Sequence, residues 1–135
     1  MKISDDPKIY LGIDWGESKI GLAIADEENR IALAFKTVKK DDKILSKIKE
    51  IIEKENIAEI VIGRPFYLRN EKIPSGGEKF GELIEKRIGL PIHYQNEMFT
   101  TRMAQKNLIE TGAKDVGKID DKESARIILQ DWLDR

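Results

Sequence analysis

Three short apolar runs open the chain, and turn chemistry separates them. Residues 9–13 form the first, ending at Asp14-Trp15-Gly16; residues 20–25 form the second, stopped by Asp26-Glu27-Glu28-Asn29; residues 31–38 form the third. Runs of this length, closely spaced and divided by Gly, Asp and Asn, predict an antiparallel meander. The period then changes. Over residues 42–55, Ile44, Leu45, Ile48, Ile51 and Ile52 recur at helical spacing with charges between them, which predicts an amphipathic helix with Asp41 or Asp42 as its N-cap. Residues 59–63 form a short, mostly apolar run of the kind that suits a central parallel strand. Residues 64–77 carry Pro65, Pro74, Gly76 and Gly77 without a period and are expected to be a long loop. Helical spacing returns through Phe80, Leu83 and Ile84 over residues 78–88, with Gly89 as the stop. Residues 91–95 predict a fifth strand, residues 100–111 a third helix, residues 113–119 a charged loop, and residues 120–133 a last helix.

The order βββαβαβαα places helices against a mixed sheet whose first part is antiparallel. The fold class expected is α/β, with strand one central, strand four beside it and a parallel strand five beyond. At 135 residues the chain has room for one domain, taken here as residues 1–135. The longest unbroken apolar run, residues 31–35, is five residues, against about 20 for a membrane span. No signal peptide is visible in the polar first residues. A cytoplasmic protein with no membrane partner is the expectation.

Charge is dense and balanced: 24 Lys plus Arg against 25 Asp plus Glu, a net −1. A uniformly basic nucleic-acid surface is excluded, but a local basic patch is not. There is no cysteine and a single histidine, His93. Thiolate zinc sites and cysteine nucleophiles are therefore absent, and a multi-histidine metal site has no residues to build it. His93 and Tyr94 read as strand residues. Any metal is left to oxygen ligands. Asp14 closes the first strand before Gly16, which lets the backbone turn away and the carboxylate face a cleft; Asp before glycine is equally a simple turn former. Glu97 follows the fifth strand, at the strand end where open α/β sheets place ligands, or is a solvated loop charge. Asp120 and Asp121 open the last helix, where Asp is a preferred cap. The ends of strands one and five and the start of the last helix can converge. Hard oxygen ligands without His or Cys suit Mg²⁺ or Mn²⁺. Two such ions about 3.5–4 Å apart activate water and stabilise the leaving oxygen in phosphodiester hydrolysis.

The segment Tyr10-Leu-Gly-Ile-Asp-Trp-Gly-Glu-Ser-Lys-Ile-Gly-Leu-Ala-Ile-Ala-Asp26 resembles the opening motif of the YqgF, or RuvX-like, family, described as Holliday-junction resolvases or pre-16S rRNA nucleases of ribonuclease-H-like fold. Further matches follow in order: Ile62-Gly63-Arg64-Pro65; Glu97 with Thr100, Thr101 and Ala104; and Asp121 with Ser124-Ala125 and residues 127–133. The resemblance implies a ribonuclease-H-like, five-stranded mixed sheet flanked by helices. It also implies an acidic, metal-holding catalytic triad of Asp14, Glu97 and Asp121. Asp121 is preferred to Asp120 for its spacing to Ser124-Ala125 and Gln130; Asp120 is left to cap the helix or substitute as a ligand. Lys19 fits the family's basic position after the glycine turn. The family's Asp-Glu-Arg is Asn96-Glu97-Met98 here, so the Glu survives without its flanks, and Arg102, one helical turn on, is the candidate replacement for the lost Arg.

Candidate phosphate contacts are Lys19, Arg64, Arg69, Lys72, Lys79, Arg102, Lys114 and Lys118; each is equally an ordinary surface cation. Tyr67, between Arg64 and Arg69, is a candidate base-stacking ring. The leading expectation is a Mg²⁺- or Mn²⁺-dependent endonuclease acting on structured nucleic acid, with 5′ processing of pre-16S rRNA ahead of branched DNA, as a monomer or weak homodimer. The alternatives are a Holliday junction resolvase in recombination and repair, or a weakly catalytic nucleic-acid-binding assembly factor. The Asp14-x-Gly16 hairpin also resembles the phosphate motif of actin-like ATPases and sugar kinases. Those enzymes close two lobes on a nucleotide, and this chain has length for one.

Overall fold

The two faces of the sheet are built from residues of different size, and this sets how closely each is covered. The computed structural model describes residues 6–64, 75–96 and 120–135. Among them run strands β1 (Ile9–Trp15), β2 (Lys19–Asp26) and β3 (Leu33–Lys39), helix α1 (Ile44–Glu55), strand β4 (Glu59–Arg64), helix α2 (Gly76–Arg87), strand β5 (Ile92–Asn96) and helix α3 (Asp121–Leu133). The five strands are ordered β3-β2-β1-β4-β5. The first three pair antiparallel, and β4 and β5 run parallel to β1. This is the mixed sheet with central β1 that the apolar pattern implies. The helix expected over residues 100–111 and the loop over residues 113–119 lie outside the described residues.

Side chains alternate across a strand. On one face Leu11, Ile13, Ile20, Leu22, Ile60 and Ile62 meet Ile48, Ile51 and Ile52 of α1 and Phe80 and Ile84 of α2. On the other, Tyr10, Ala23, Ala25 and Val61 meet Ala125, Ile128, Leu129, Trp132 and Leu133 of α3. That second face is nearly flat because Gly12 and Gly21 interrupt it. A Cβ on Gly12 would stand 2.8 Å from Leu129 Cβ, and one on Gly21 would overlap the Asp121 carbonyl and come within 2.6 Å of the Lys122 nitrogen. Helix α3 therefore lies almost backbone-to-backbone on β1 and β2, an approach that needs glycine.

Several boundaries move from their expected places. β1 ends at Trp15, one residue past the expected Asp14, because Asp14 and Trp15 pair with Gly21 and Ile20. β3 begins at Leu33 and not at Ile31. The N-cap of α1 is Lys43, without a side-chain cap. Asp41 instead accepts from the Lys43 nitrogen at 3.0 Å and from Lys47 Nζ at 2.9 Å, holding the turn before the helix. α2 starts at Gly76, inside the expected loop, because Ser75 and Glu78 form a reciprocal capping box. Gly89 follows α2 with φ of 85°, the left-handed turn that ends a helix.

Candidate functional site

The carboxyl ends of β1, β4 and β5 share one edge of the sheet, since β4 and β5 run parallel to β1 and the register aligns Ile13 with Ile62 and Gly63 with Gln95. Asp14 stands at this edge within β1. Its side chain points to the face that α3 covers, because it alternates with Gly12 and Tyr10. Only 9 % of Asp14 is exposed. Ionised carboxylates are rarely buried without a partner, and Asp14 takes part in an interaction with its surroundings.

Asp121 reaches the same place from the far end of the chain. Asp120 is the N-cap of α3, its Oδ1 accepting from the Glu123 nitrogen at 2.9 Å. Capping thus occupies Asp120 and leaves Asp121 in the first helical turn. The Asp121 backbone lies against Gly21, the cross-strand partner of Asp14. Its Oδ1 stands 3.7 Å from where a Gly16 Cβ would be. Two carboxylates separated by 106 residues of sequence are thereby seated on the same β1–β2 hairpin. β5 ends at Asn96; Glu97 comes next in sequence and lies outside the described residues, as do Arg69, Lys72, Arg102 and Lys118.

Three of the expected cations are described, Lys19, Arg64 and Lys79, the last exposed on α2. Lys19 is exposed at the start of β2, where its carbonyl accepts from the Gly16 nitrogen at 3.0 Å to close the hairpin. Arg64 ends β4. Its Nε donates to Asn96 Oδ1 at 2.7 Å and its guanidinium lies 5.9 Å from the Tyr94 ring centre. A guanidinium is therefore tied to the residue directly before Glu97 in sequence. The Tyr94 hydroxyl donates to the Glu78 carbonyl at 3.3 Å. Burial, and then the carboxylates Glu82, Glu78 and Glu85, push that hydroxyl's pKa up, so it stays neutral.

The histidine lies elsewhere. His93 Nε2 is 2.6 Å from Glu59 Oε1, and its ring packs 4.8 Å from that of Trp132. Glu59 pairs in register with Tyr10, four residues before Asp14, or roughly 13 Å along the strand. The acidic edge is thus free of nitrogen ligands from histidine. Its described donors are carboxylate oxygens, a set that fits a hard divalent cation and not zinc or copper. Among the described residues no group of three potential ligands gathers, the described set ending at two.

The pattern reading overlooked Lys40. Its Nζ donates to the Gly16 carbonyl at 2.7 Å and lies 4.9 Å from the Trp15 ring centre, and its backbone nitrogen donates to the Ser18 carbonyl at 2.9 Å. The end of β3 is thereby fastened to the glycine turn behind Asp14. It also overlooked Gly21, although a glycine inside an Ile/Leu/Ala strand signals a close backbone approach.

The fold and its acidic edge define a protein of the ribonuclease-H-like class to which the junction resolvases belong. Among solved structures, the chain is similar to a Thermus thermophilus RuvC in complex with Holliday junction substrate, at a TM-score of 0.57 and 16 % identity over 93 % of each chain. It is also similar to the fowlpox virus Holliday junction resolvase, at a TM-score of 0.60 and 13 % identity over 93 % of this chain and 98 % of that one. Residues 8–135 match the family model described as RuvX: Holliday junction resolvase, and the chain belongs to that family. Its relatives include proteins named "Putative pre-16S rRNA nuclease" from Mycoplasma mobile, 40 % identical over 91 % of this chain and 90 % of the relative, and from Dictyoglomus turgidum, 39 % identical over 92 % of both. Family and relatives alike carry the names of nucleases, hydrolases of phosphodiester bonds. Among the described residues no helix is long and apolar enough to cross a membrane.

Proposed function

We propose that this protein is a divalent-metal-dependent endonuclease that cuts structured nucleic acid, with the 5′ region of precursor 16S rRNA as its substrate in the cytoplasm. The observation that carries the reading is the seating of Asp121 on Gly21, which brings a second carboxylate to the hairpin that holds Asp14. Asp14, Asp121 and Glu97 are the residues that would hold the cation, with Mg²⁺ or Mn²⁺ the ions their oxygens suit. When bound, such ions supply charge neutralisation at the scissile phosphate and activation of the attacking water. The protein's own work is positional. Burial on the α3 face fixes the Asp14 side chain. The cap at Asp120 and the contact with Gly21 fix Asp121. Arg64, anchored on Asn96, offers its remaining N–H groups to a phosphate at the β4–β5 end, and Lys19 does so at the hairpin; Arg69, Lys72, Arg102 and Lys118 extend that set.

The relatives' names favour precursor rRNA over a DNA junction as the substrate. Symmetric cutting of a four-way junction would further ask for a two-fold dimer, and a monomer or weak homodimer suffices for RNA. The test is cleavage of a precursor 16S rRNA fragment and of a four-way DNA junction, each with Mg²⁺ and with Mn²⁺. Asp14→Asn and Asp121→Asn should each reduce cleavage at least a hundredfold while leaving the fold intact. The reading is lost if neither substrate is cut with either ion, or if Asp14→Asn cuts as well as the parent.

A further inference from the structure

Two lysines stand directly opposite each other across β2 and β3: Lys19 is the register partner of Lys39. Like charges in that position repel and destabilise the pairing. Both side chains are exposed, and neither makes an ion pair among the described residues. Packing gives no reason for the pair. An anion bound between them would.

The face they occupy is the one that carries the acidic edge. β1 and β2 place Asp14 opposite Gly21, and Lys19 has the same parity as Gly21. On β3 the parity is set by an irregularity. Ala34 pairs with Ala23, but across the shift between Leu22 and Ala23 the partners become Thr37 for Gly21 and Lys39 for Lys19. Without that extra residue Lys39 would point to the opposite face. Bulges are common beside functional sites because they re-aim side chains. Lys40 then locks the strand end, through Gly16 and Ser18, to the turn that follows Asp14. Lys39 consequently stands two strands out from β1, or roughly 10 Å, in a fixed relation to the carboxylates. The acids close to them in sequence are Glu17, Asp41 and Asp42; Asp41 is ion-paired with Lys47 at 2.9 Å and also feels the charge of Lys39.

We propose that Lys39 and Lys19 together form a clamp for two neighbouring backbone phosphates of the substrate strand, one to each lysine, carrying the nucleic acid outward from the acidic edge across β2 and β3. The proposal rests on the nuclease reading for the identity of the polyanion. The contact is to phosphate, so it serves RNA and DNA alike and reads no sequence.

The test is equilibrium binding in the Asp14→Asn background, so that nothing is cut, to both a structured precursor rRNA fragment and a four-way DNA junction over a series of salt concentrations. Lys39→Gln should weaken binding to both about three- to tenfold and make the slope of log K against log salt shallower by about 0.7–0.9, one phosphate contact. Lys39→Arg should restore the slope. Lys49→Gln removes one exposed lysine from α1 and should change neither quantity. Identical affinity and slope for Lys39→Gln and Lys49→Gln would overturn the clamp. If that happens while the parent protein cuts in an Asp14-dependent way, the clamp fails alone. If Lys39→Gln lowers the slope but no cutting is found, the nuclease reading fails and the clamp stands. Absence of salt-dependent binding to either polyanion sinks both.

Discussion

Replacing Gly21 by alanine tests the packing of α3 and the assembly of the acidic edge together. In an exposed strand, alanine for glycine is neutral or stabilising by about 0.4–1 kcal/mol, because the unfolded chain loses freedom. Here the added methyl would overlap the Asp121 carbonyl and lie 2.6 Å from the Lys122 nitrogen. Carbon needs about 3.5 Å from such atoms, so the first turn of α3 must retreat by about 1 Å or more. The obstacle is backbone, and no rotamer change relieves it. Overpacking of this kind costs about 1–3 kcal/mol, and the upper half of that range is expected. At about 2.1 cal/mol/K per residue, a chain of 135 residues has an unfolding entropy of about 0.28 kcal/mol/K, so 2–3 kcal/mol lowers Tm by about 7–11 °C.

The same retreat carries the Asp121 carboxylate away from Asp14. A misplacement of about 1 Å in a catalytic constellation can cost a hundredfold in rate. Gly12→Ala is the comparison: its methyl would stand 2.8 Å from Leu129 Cβ, two turns into α3 and away from Asp121. Both variants should melt early by calorimetry, but only Gly21→Ala should lose cleavage by about two orders of magnitude at a temperature where both are fully folded. A Gly21→Ala protein that melts within about 1 °C of the parent would show that α3 does not rest on this residue. One that melts early yet cuts like Gly12→Ala would show that the placement of Asp121 does not matter to the reaction.

Two other perturbations probe the frame. Ser75→Ala removes the hydroxyl half of the reciprocal cap on α2, leaving the Ser75 nitrogen to donate to Glu78, and should cost about 1 kcal/mol, seen as a Tm lower by about 3–4 °C; an unchanged Tm would mean that the hydroxyl is redundant in the cap. Glu59 is half-buried, which raises its pKa, but the hydrogen bonds from His93 and Lys8 outweigh burial and hold it below the usual carboxylate value. A depressed folded pKa gives stability that is present above about pH 4.5 and is lost as pH falls through the folded value. Glu59→Gln should therefore lower stability near neutrality, by about 1–2 kcal/mol for hydrogen bonds to a charged group, and flatten the acid limb of stability against pH; parallel acid limbs for the two proteins would refute this.

The apolar pattern alone placed the five strands and the three described helices in order and set β1 at the centre, because strand and helix periods are carried by Ile and Leu at unambiguous spacing. What it missed is physically specific. Asp14 was expected either to close β1 or to be a simple turn former, and the ladder runs through it to Trp15. The carboxylate of the candidate site is therefore held by a strand and not by a turn. The caps were misjudged where two mechanisms compete for one residue. Asp41 accepts from Lys43 and Lys47 ahead of the helix and so does not cap it, whereas Asp120 does cap and frees Asp121. The parity of Lys39 could not be read at all, because one unpaired residue in β3 reverses it, and composition does not announce a bulge. Family resemblance selected Asp121 over Asp120; the cap bond supplies the physical reason.

The net charge of −1 takes on a definite meaning from these placements. At the far end of the sheet Glu59 engages Lys8 at 3.1 Å and His93 at 2.6 Å, so that region presents little free charge. At the acidic edge, the two carboxylates are flanked by Lys19 and Lys39 on one side and Arg64 on the other. On the nuclease reading proposed above, a strand crossing that edge would meet positive, negative and positive charge in turn, and a divalent ion held there would turn the middle favourable. Attraction at long range is weak in such a pattern, and affinity must come from contacts made in register. Three phosphate contacts imply a slope of log K against log salt of about −2.1 for a single strand and −2.7 for a duplex. If Arg69, Lys72, Arg102 and Lys118 all contribute, seven contacts imply about −4.9 to −6.3. The measured slope therefore counts how many of the sequence-derived cations act. A value near −2.5 would confine binding to the sheet edge, whereas one near −5 or beyond would require Arg69, Lys72, Arg102 and Lys118 to contact the substrate as well.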